Sequence, residues 1–158
     1  MHEYETAAAA MERPRVTVAA VVERDGRFLM VRERSSSGDL VINQPAGHLE
    51  VGETLIEAVI RETREETGWK FIPQAFVGVY QWRNPTERKS FVRFAVCGSV
   101  THRNEDPVLD EGIEDVLWLT IDEVSAQSNA LRSPLVVRGI RDYLDGERFP
   151  LTLLKQLV

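Results

Sequence analysis

One stretch of the sequence, GHLEVGETLIEAVIRETREETGW from Gly47 to Trp69, restricts the possible folds more than any other. It places Glu62, Glu65 and Glu66 within little more than one turn of a predicted helix. Two carboxylates ~4 Å apart repel each other by about 4 kcal/mol at an effective dielectric constant near ~20. A fold would avoid this arrangement unless a cation lies against it. A hard divalent metal ion, used for phosphate chemistry, is the expected cation.

The predicted helix has a signal at each end. Thr54, followed by Glu57 three residues later, forms a capping box at its start, and Gly68 is typical of its end. At about 100° per residue, one side of the helix faces the core. That side carries Leu55, Ile56, Val59, Ile60, Thr63 and Thr67. On the same projection Glu62 and Glu66 border the core-facing side, so the acidic face adjoins the core instead of opposing it.

An acidic helix face also occurs without a metal, as a solvated surface stabilised by ion pairs four residues apart. Arg61 is placed for this arrangement because it lies four residues from both Glu57 and Glu65. Three observations favour a metal: the glutamates border the core side, they outnumber the arginine, and a loop containing Gly47 precedes the helix. Glycine lets backbone carbonyls approach closely. From geometry alone both interpretations stay open.

Composition narrows the class of protein. The chain has 158 residues, which predicts one domain, over residues 15–158, after a flexible tail at residues 1–14. The net charge of -6 argues against a general nucleic-acid binder, and Cys97, the single cysteine, excludes an intramolecular disulfide. No apolar run reaches ~18 residues, and the N-terminus does not resemble a secretory signal. We therefore expect a cytoplasmic protein with no membrane contact.

Strands and helices are interspersed along the chain. Apolar and β-branched runs predict strands at Val16–Val22, Arg27–Arg32, Phe71–Trp82, Ser90–Val100 and Val116–Leu119. Asp25-Gly26 predicts a two-residue hairpin turn. A second capping box from Thr120 to Glu123 starts a short helix, and Ser133-Pro134 starts another that ends at Gly146. This order predicts a mixed α/β fold with a central sheet flanked by helices.

The stretch from Gly47 resembles the Nudix box, whose pattern is G-x5-E-x7-R-E-U-x-E-E-x-G-U with U aliphatic or bulky apolar. Its fixed positions are filled here by Gly47, Glu53, Arg61, Glu62, Glu65, Glu66 and Gly68. Thr63 and Trp69 fill the two U positions less typically. The resemblance implies a Nudix-type α/β/α sandwich with a central mixed sheet. It also implies hydrolysis of a nucleoside diphosphate linked to another group, with Mg²⁺ or Mn²⁺.

Outside the box the chain is similar to the NudJ-type phosphatases of that family. The similar segments are VTVAAVV at 16–22, NQPAGHLE at 43–50, Gln81-Trp82, LRSPLV at 131–136 and RFPL at 148–151. This similarity implies release of orthophosphate from nucleoside tri- and diphosphates. Thiamine pyrophosphate and its pyrimidine precursor diphosphate are further candidate substrates. A different Nudix specificity, for oxidised nucleotides or ADP-ribose, and a non-catalytic nucleotide sensor remain alternatives. The expected partner is this small substrate alone, bound to a monomer or homodimer.

Carried over residue by residue, the Nudix resemblance assigns the metal site to the box. Glu65 and Glu66 are the expected ligands, and the carbonyl of Gly47 completes part of the shell. Glu62 is the candidate base for the attacking water and a further candidate ligand. Because the base varies among glutamates in related enzymes, the ligands are the firmer part of this assignment.

Three further residues are candidates at this site. Arg61 and Glu53 are expected to support catalysis by pairing with each other, with Glu53 reaching from the loop. Glu114 lies four residues before Trp118 in a loop that enters a strand, where some Nudix enzymes place an additional ligand or base. The alternative for Glu114 is a solvated acid in the acidic run at 110–115.

Four residues outside the box are candidates for substrate binding. Trp82, which follows Gln81, is suited to stacking on a base or a thiazolium ring, or else to packing in the core. Arg93 lies in an alternating strand and can contact a phosphate, or be an exposed strand arginine. Ser133 can approach a phosphate at a helix N-terminus or serve as an ordinary cap.

Overall fold

Eight strands form one mixed sheet in the computed structural model, which describes residues 13–157. The strands are β1 (Arg15–Arg24), β2 (Arg27–Arg34), β3 (Leu40–Asn43), β4 (Ala46–His48), β5 (Trp69–Arg83), β6 (Ser90–Arg103), β7 (Ile113–Leu119) and β8 (Phe149–Pro150). Their main order is β3-β2-β1-β6-β5-β8, with β4 paired to β1 and β7 paired to β2. The neighbours β1 and β6 run parallel, and the other strand pairs are antiparallel.

Helices cover both faces of this sheet. They are α1 (Leu55–Thr67), α2 (Ile121–Ala126) and α3 (Leu135–Leu144). Because side chains alternate along β1, Val18 packs with Val59 of α1, whereas Val21 packs with Ile140 of α3 on the opposite face. The arrangement confirms the predicted α/β/α sandwich with a central mixed sheet.

Turns and helix ends follow the local sequence closely. The hairpin between β1 and β2 turns at Asp25 and Gly26, which have φ angles of 52° and 75°, as a two-residue turn requires. Ser133 was the predicted N-cap of α3, but the helix begins at Leu135. The Ser133 hydroxyl accepts a hydrogen bond from the Leu135 amide at 3.2 Å, so the difference is a shift of the boundary by about one residue.

The predicted N-terminal tail, residues 1–14, lies outside the described residues except for Arg13 and Pro14, and it stays a prediction. Within residues 13–157, none of the helices combines the length and apolarity needed to cross a bilayer. Cys97 is buried on β6, as expected of a small apolar residue in a strand.

Candidate active site

The glutamates lie on α1, and both ends of this helix are fixed locally. The Thr54 hydroxyl accepts a hydrogen bond from the Glu57 amide at 3.1 Å, and the Glu57 carboxylate accepts one from the Thr54 amide at 2.8 Å. Gly68 ends the helix with a φ of 77°. The predicted capping box and glycine end are confirmed. Packing of Leu55, Ala58 and Val59 on the sheet fixes which side of α1 faces inward. Glu62 and Glu66 are thereby buried, with only 9% and 5% exposed.

The backbone of β4 approaches the helix so closely that any side chain at position 47 would displace the carboxylate of Glu62. A Cβ atom built on Gly47 would overlap the carboxylate of Glu62. The strand is held there because Gly47 pairs with Val18 of β1. The first fixed glycine of the box therefore has a direct role, which is to leave room for the Glu62 carboxylate.

Replacing Gly47 with alanine is expected to lower kcat/KM by about a hundredfold, since displacing a reacting group by ~1 Å has an effect of that size. The added methyl group must push the Glu62 carboxylate away from β4. Measuring kcat/KM for phosphate release together with the melting temperature tests this.

A matched control is Gly139→Ala in α3, where the added Cβ meets the side-chain nitrogen of Gln44 at an ordinary 3.7 Å. That variant should retain its activity. Wild-type kcat/KM in Gly47→Ala would show that the position of Glu62 is unimportant.

Three carboxylates converge at the exposed edge of this site. One oxygen from each of Glu62, Glu65 and Asp110 lies within 4.8 Å of the other two. Asp110 comes from the loop between β6 and β7, which folds back along the end of α1. Its amide donates to the Glu65 carbonyl at 2.9 Å, and the Asn104 amide donates to the Gly68 carbonyl at 3.2 Å. The loop thus holds Asp110 beside the glutamates.

Glu66 lies behind this cluster in the most buried position. Its carboxylate accepts a hydrogen bond from the Ala46 amide of β4 at 2.7 Å. Burial raises the pKa of Glu66 to about 9 and that of Glu62 to about 7. The hydrogen bond from the Ala46 amide lowers the pKa of Glu66 in part, and Arg61 does the same for Glu62. The charge of Asp110 raises the pKa of both glutamates further.

The donor set fits a divalent cation. The oxygens of Glu62, Glu65, Glu66 and Asp110 are hard ligands, the kind that Mg²⁺, Mn²⁺ and Ca²⁺ prefer. The raised pKa values show that the protein environment disfavours several negative charges here. A divalent ion reverses that preference because it stabilises the ionised carboxylates.

Arg61 connects the glutamates of the box. Its guanidinium contacts both oxygens of Glu53, with Nη2 to Oε1 at 2.7 Å and Nε to Oε2 at 2.9 Å. It also donates to Glu62 at 2.8 Å and to Glu65 at 3.1 Å. The predicted pairs of Arg61 with Glu53 and with Glu65 are therefore formed. The predicted pair with Glu57 is wrong, because the Glu57 carboxylate is held in the capping box.

Glu114 does not lie in the carboxylate cluster. It is exposed, and its carboxylate pairs with Nε of Arg34 at 2.9 Å. Asp110, from the same acidic run, occupies the position beside Glu65. Glu114 lies within β7 and not in the loop where the sequence placed it, whereas Asp110 reaches the cluster because its loop contacts α1.

A cavity of about 330 Å³ adjoins this site on the other side of Gly47, which lines it. Trp82, Arg93 and Ser133, three of the four predicted substrate residues, also line it. Trp82 is half-buried and stacks on Phe91, with ring centroids 5.8 Å apart and planes inclined by 23°. Three candidates that are distant in sequence thus share one cavity next to the box.

Gln81, the fourth candidate, is exposed and lies in a separate open groove between β5 and α3. Trp82 borders both the groove and the cavity, whereas Gln81 borders only the groove. The structure therefore does not bring Gln81 to the cavity.

The fold brings further residues to this cavity. Glu33, Asn43 and His48 line the cavity as well. Arg132 is placed there because its amide donates to the Ile42 carbonyl of β3 at 2.8 Å. No local pattern identified Glu33 or Asp110.

Comparison with known proteins agrees with this geometry. The family model of the NUDIX domain matches residues 11–138. Phosphatase NudJ of Escherichia coli strain K12 is 42% identical over 144 residues, which cover 91% of this chain and 92% of that protein. Phosphatase NudJ of Shigella flexneri matches to the same extent.

Solved structures give the same result. A NUDIX hydrolase from Nitrosomonas europaea superimposes with a TM-score of 0.89 at 42% identity, over 91% of this chain and 97% of that chain. A UDP-X diphosphatase, at 20% identity and a TM-score of 0.69 over 93% of this chain and 73% of that one, shares the fold. The chain belongs to the Nudix family and is a hydrolase that acts on phosphoric anhydride bonds.

Proposed function

We propose that this protein is a metal-dependent phosphohydrolase that cleaves nucleoside tri- and diphosphates and releases orthophosphate. The observation that carries this proposal is the position of Gly47, which lines the cavity on one side and contacts Glu62 on the other. A substrate with its ring in the cavity thereby presents its phosphates to the carboxylates of α1. The similarity to proteins named Phosphatase NudJ supports orthophosphate as the product.

The metal in this proposal is Mg²⁺ or Mn²⁺. Glu65, Glu66 and Asp110 would hold it, with Glu62 and the carbonyl of Gly47 beside them. When bound, the ion supplies neutralisation of phosphate charge and a lower pKa for the attacking water. Glu114 is not included, because its carboxylate is paired with Arg34 away from the cluster.

The protein's own groups orient the reaction. Glu62 accepts a proton from the attacking water, whose oxygen bonds to phosphorus as the anhydride P–O bond breaks. The bonding pair leaves with the oxygen of the departing phosphate group. Arg61 holds Glu62 from 2.8 Å, and Glu53 fixes Arg61 through two hydrogen bonds. Arg61 and Glu53 thus position the proton acceptor for attack.

The cavity favours a substrate with one heteroaromatic ring. Its volume of about 330 Å³ is near the lower end of the roughly 300–1,000 Å³ usual for ligand sites. Trp82 offers a flat face for a nucleobase, or for the rings of thiamine pyrophosphate and its pyrimidine precursor diphosphate. ADP-ribose carries a second sugar and fits less well. The remaining alternative is a Nudix enzyme that acts on oxidised nucleoside triphosphates.

Product analysis tests the proposed function. With Mg²⁺, nucleoside di- and triphosphates are expected to yield orthophosphate, measured by a phosphate assay and by ³¹P NMR. Pyrophosphate from triphosphates, or two monophosphates from ADP-ribose, would instead support a different Nudix specificity. The Glu66→Gln variant, purified in the same way, excludes a contaminating phosphatase.

Localisation, binding partners and assembly are part of the same proposal. We infer a cytoplasmic enzyme that binds a small phosphorylated substrate and neither nucleic acid polymers nor membranes. The net charge of -6 supports this choice, since it disfavours binding to polyanions. A monomer or a homodimer is the expected assembly, and light scattering distinguishes the two.

A further inference from the structure

Arg93 is a buried cation whose direct partners are neutral. It is only 6% exposed. Its Nη2 donates to Oδ1 of Asn43 at 3.0 Å, and its Nη1 donates to Oε1 of Gln44 at 3.4 Å. Among the described residues, no carboxylate forms an ion pair with it. A buried charge is normally paired, so this guanidinium lacks its usual counter-anion.

The two amide side chains orient Arg93. Gln44 is 2% exposed, and its Nε2 donates to the Val136 carbonyl of α3 at 2.8 Å. This bond fixes which end of the Gln44 amide faces Arg93, so the oxygen accepts from the guanidinium. A guanidinium has five N–H donors. The amide oxygens engage only two of them, one on Nη1 and one on Nη2, and Arg93 lines the cavity.

The charges around Arg93 are mixed but leave an anion position open. Arg132 lines the same cavity and is exposed. Together with burial, the charges of Arg15 and Arg132 lower the pKa of His48 at the cavity wall. The carboxylates of Glu33 and Glu66 act on Arg93 from a distance, but neither forms an ion pair with it. Glu33 accepts a long 3.4 Å hydrogen bond from Asn43, and Glu66 accepts one from the Ala46 amide.

We propose that Arg93, assisted by Arg132, forms an anion subsite that binds a phosphate group without a metal ion. The ligand class is a phosphate monoester or inorganic phosphate, since a planar guanidinium donates two parallel hydrogen bonds to such oxygens. The role of this subsite in the catalytic cycle rests on the proposed function. The group bound here is the phosphate of substrate or product that lies away from the carboxylates of α1.

Binding of inorganic phosphate in the presence of EDTA tests the subsite. Binding is measured by isothermal titration calorimetry at constant ionic strength. The reference titration contains sodium chloride instead of phosphate, because salt screening alone changes a weak electrostatic affinity. Wild type and Glu65→Gln are expected to bind phosphate equally, since Glu65 belongs to the carboxylate cluster and is not among the charges that act on Arg93. Arg93→Gln is expected to weaken binding by at least about tenfold, as loss of hydrogen bonds to a charged group does.

Asn43→Asp provides a second variant in case Arg93→Gln does not fold. It keeps Arg93 and places a carboxylate at the oxygen now 3.0 Å from Nη2, so an internal anion competes with phosphate. The same loss of binding is expected. Arg138→Gln, which removes an exposed arginine of α3 outside this cavity, is the matched control and should bind like wild type.

The inference is overturned if metal-free wild type does not bind phosphate, or if the folded Arg93 and Asn43 variants bind it as wild type does. Phosphate release from nucleotides with Mg²⁺ is measured on the same preparations. Hydrolysis by a wild type that fails to bind phosphate in EDTA refutes the subsite and leaves the proposed function intact. Metal-free binding that depends on Arg93, without hydrolysis of any nucleotide, refutes the proposed function and leaves the subsite intact.

Discussion

Replacing Glu66 with glutamine is expected to lower kcat by at least about a thousandfold, because a metal ion supplies several kcal/mol of stabilisation to a phosphoryl transition state. The fold should survive the change. Glutamine has the shape of glutamate, and its side-chain oxygen can accept the same hydrogen bond from the Ala46 amide that Glu66 accepts at 2.7 Å. Steady-state kinetics of phosphate release measure the loss. Mg²⁺ should raise the melting temperature of wild type but not that of the variant.

In EDTA, the stability of Glu66→Gln is expected to depend on pH differently from that of wild type. Burial raises the folded-state pKa of Glu66 to about 9, from an ordinary value of 4.5. The folded protein therefore keeps a proton that the unfolded chain releases, so stability falls as the pH rises from 4.5 towards about 9. Glu66→Gln carries no such proton. Its melting temperature relative to wild type is expected to increase across this pH range.

Glu57→Gln is the matched control, since it makes the same chemical change on the same helix. Glutamine also completes a capping box at this position. Its activity and its response to Mg²⁺ should equal those of wild type. Wild-type turnover by Glu66→Gln, or an equal loss in both variants, would contradict the assignment of Glu66 to the metal site.

Replacing Asp110 with asparagine is expected to raise the Mg²⁺ concentration needed for half-maximal activity by at least about tenfold, since even outer-sphere partners of a metal contribute that much. Asp110 supplies one of the three oxygens that lie within 4.8 Å of one another. The backbone bond from its amide to the Glu65 carbonyl does not involve the side chain and should persist. Metal titrations of phosphate release, with unfolding curves for stability, measure both effects.

Glu114→Gln distinguishes the loop residue Asp110 from the acidic residue of β7. It removes the exposed pair with Arg34, so its effect on stability should be no more than about 1 kcal/mol. Its metal requirement should match that of wild type. If Glu114→Gln raised the metal requirement and Asp110→Asn did not, the sequence-based choice of Glu114 would be correct after all.

The parts of the site that the sequence predicted well are local. The capping box at Thr54, the glycine end at Gly68 and the border position of Glu62 and Glu66 all depend on spacing within α1. Such contacts are encoded by neighbours in the chain, and helical periodicity is enough to place them. The alternation of β6 likewise indicated that Arg93 faces away from Val92 and Phe94.

The parts that the sequence did not predict depend on segments meeting across the fold. Asp110 reaches Glu65 only because its loop packs along the end of α1. Gln44 orients Arg93 because α3 offers the Val136 carbonyl on the far side. Neither contact produces a periodic pattern in the sequence. The sequence alone is therefore compatible with Arg93 as a phosphate contact and with Arg93 as an exposed strand arginine. Its burial against two amides excludes an exposed position.

The parallel pairing of β1 with β6 has a consequence for biosynthesis. β1 pairs locally with β2, so this hairpin can form as soon as the first strands leave the ribosome. The partner on the other side of β1 runs from Ser90 to Arg103 and is translated much later. Until then one edge of β1, in the centre of the sheet, remains open, and long-range pairing of this kind slows folding. The nascent chain is therefore most exposed to misassociation while the box is already translated but β6 is still to come.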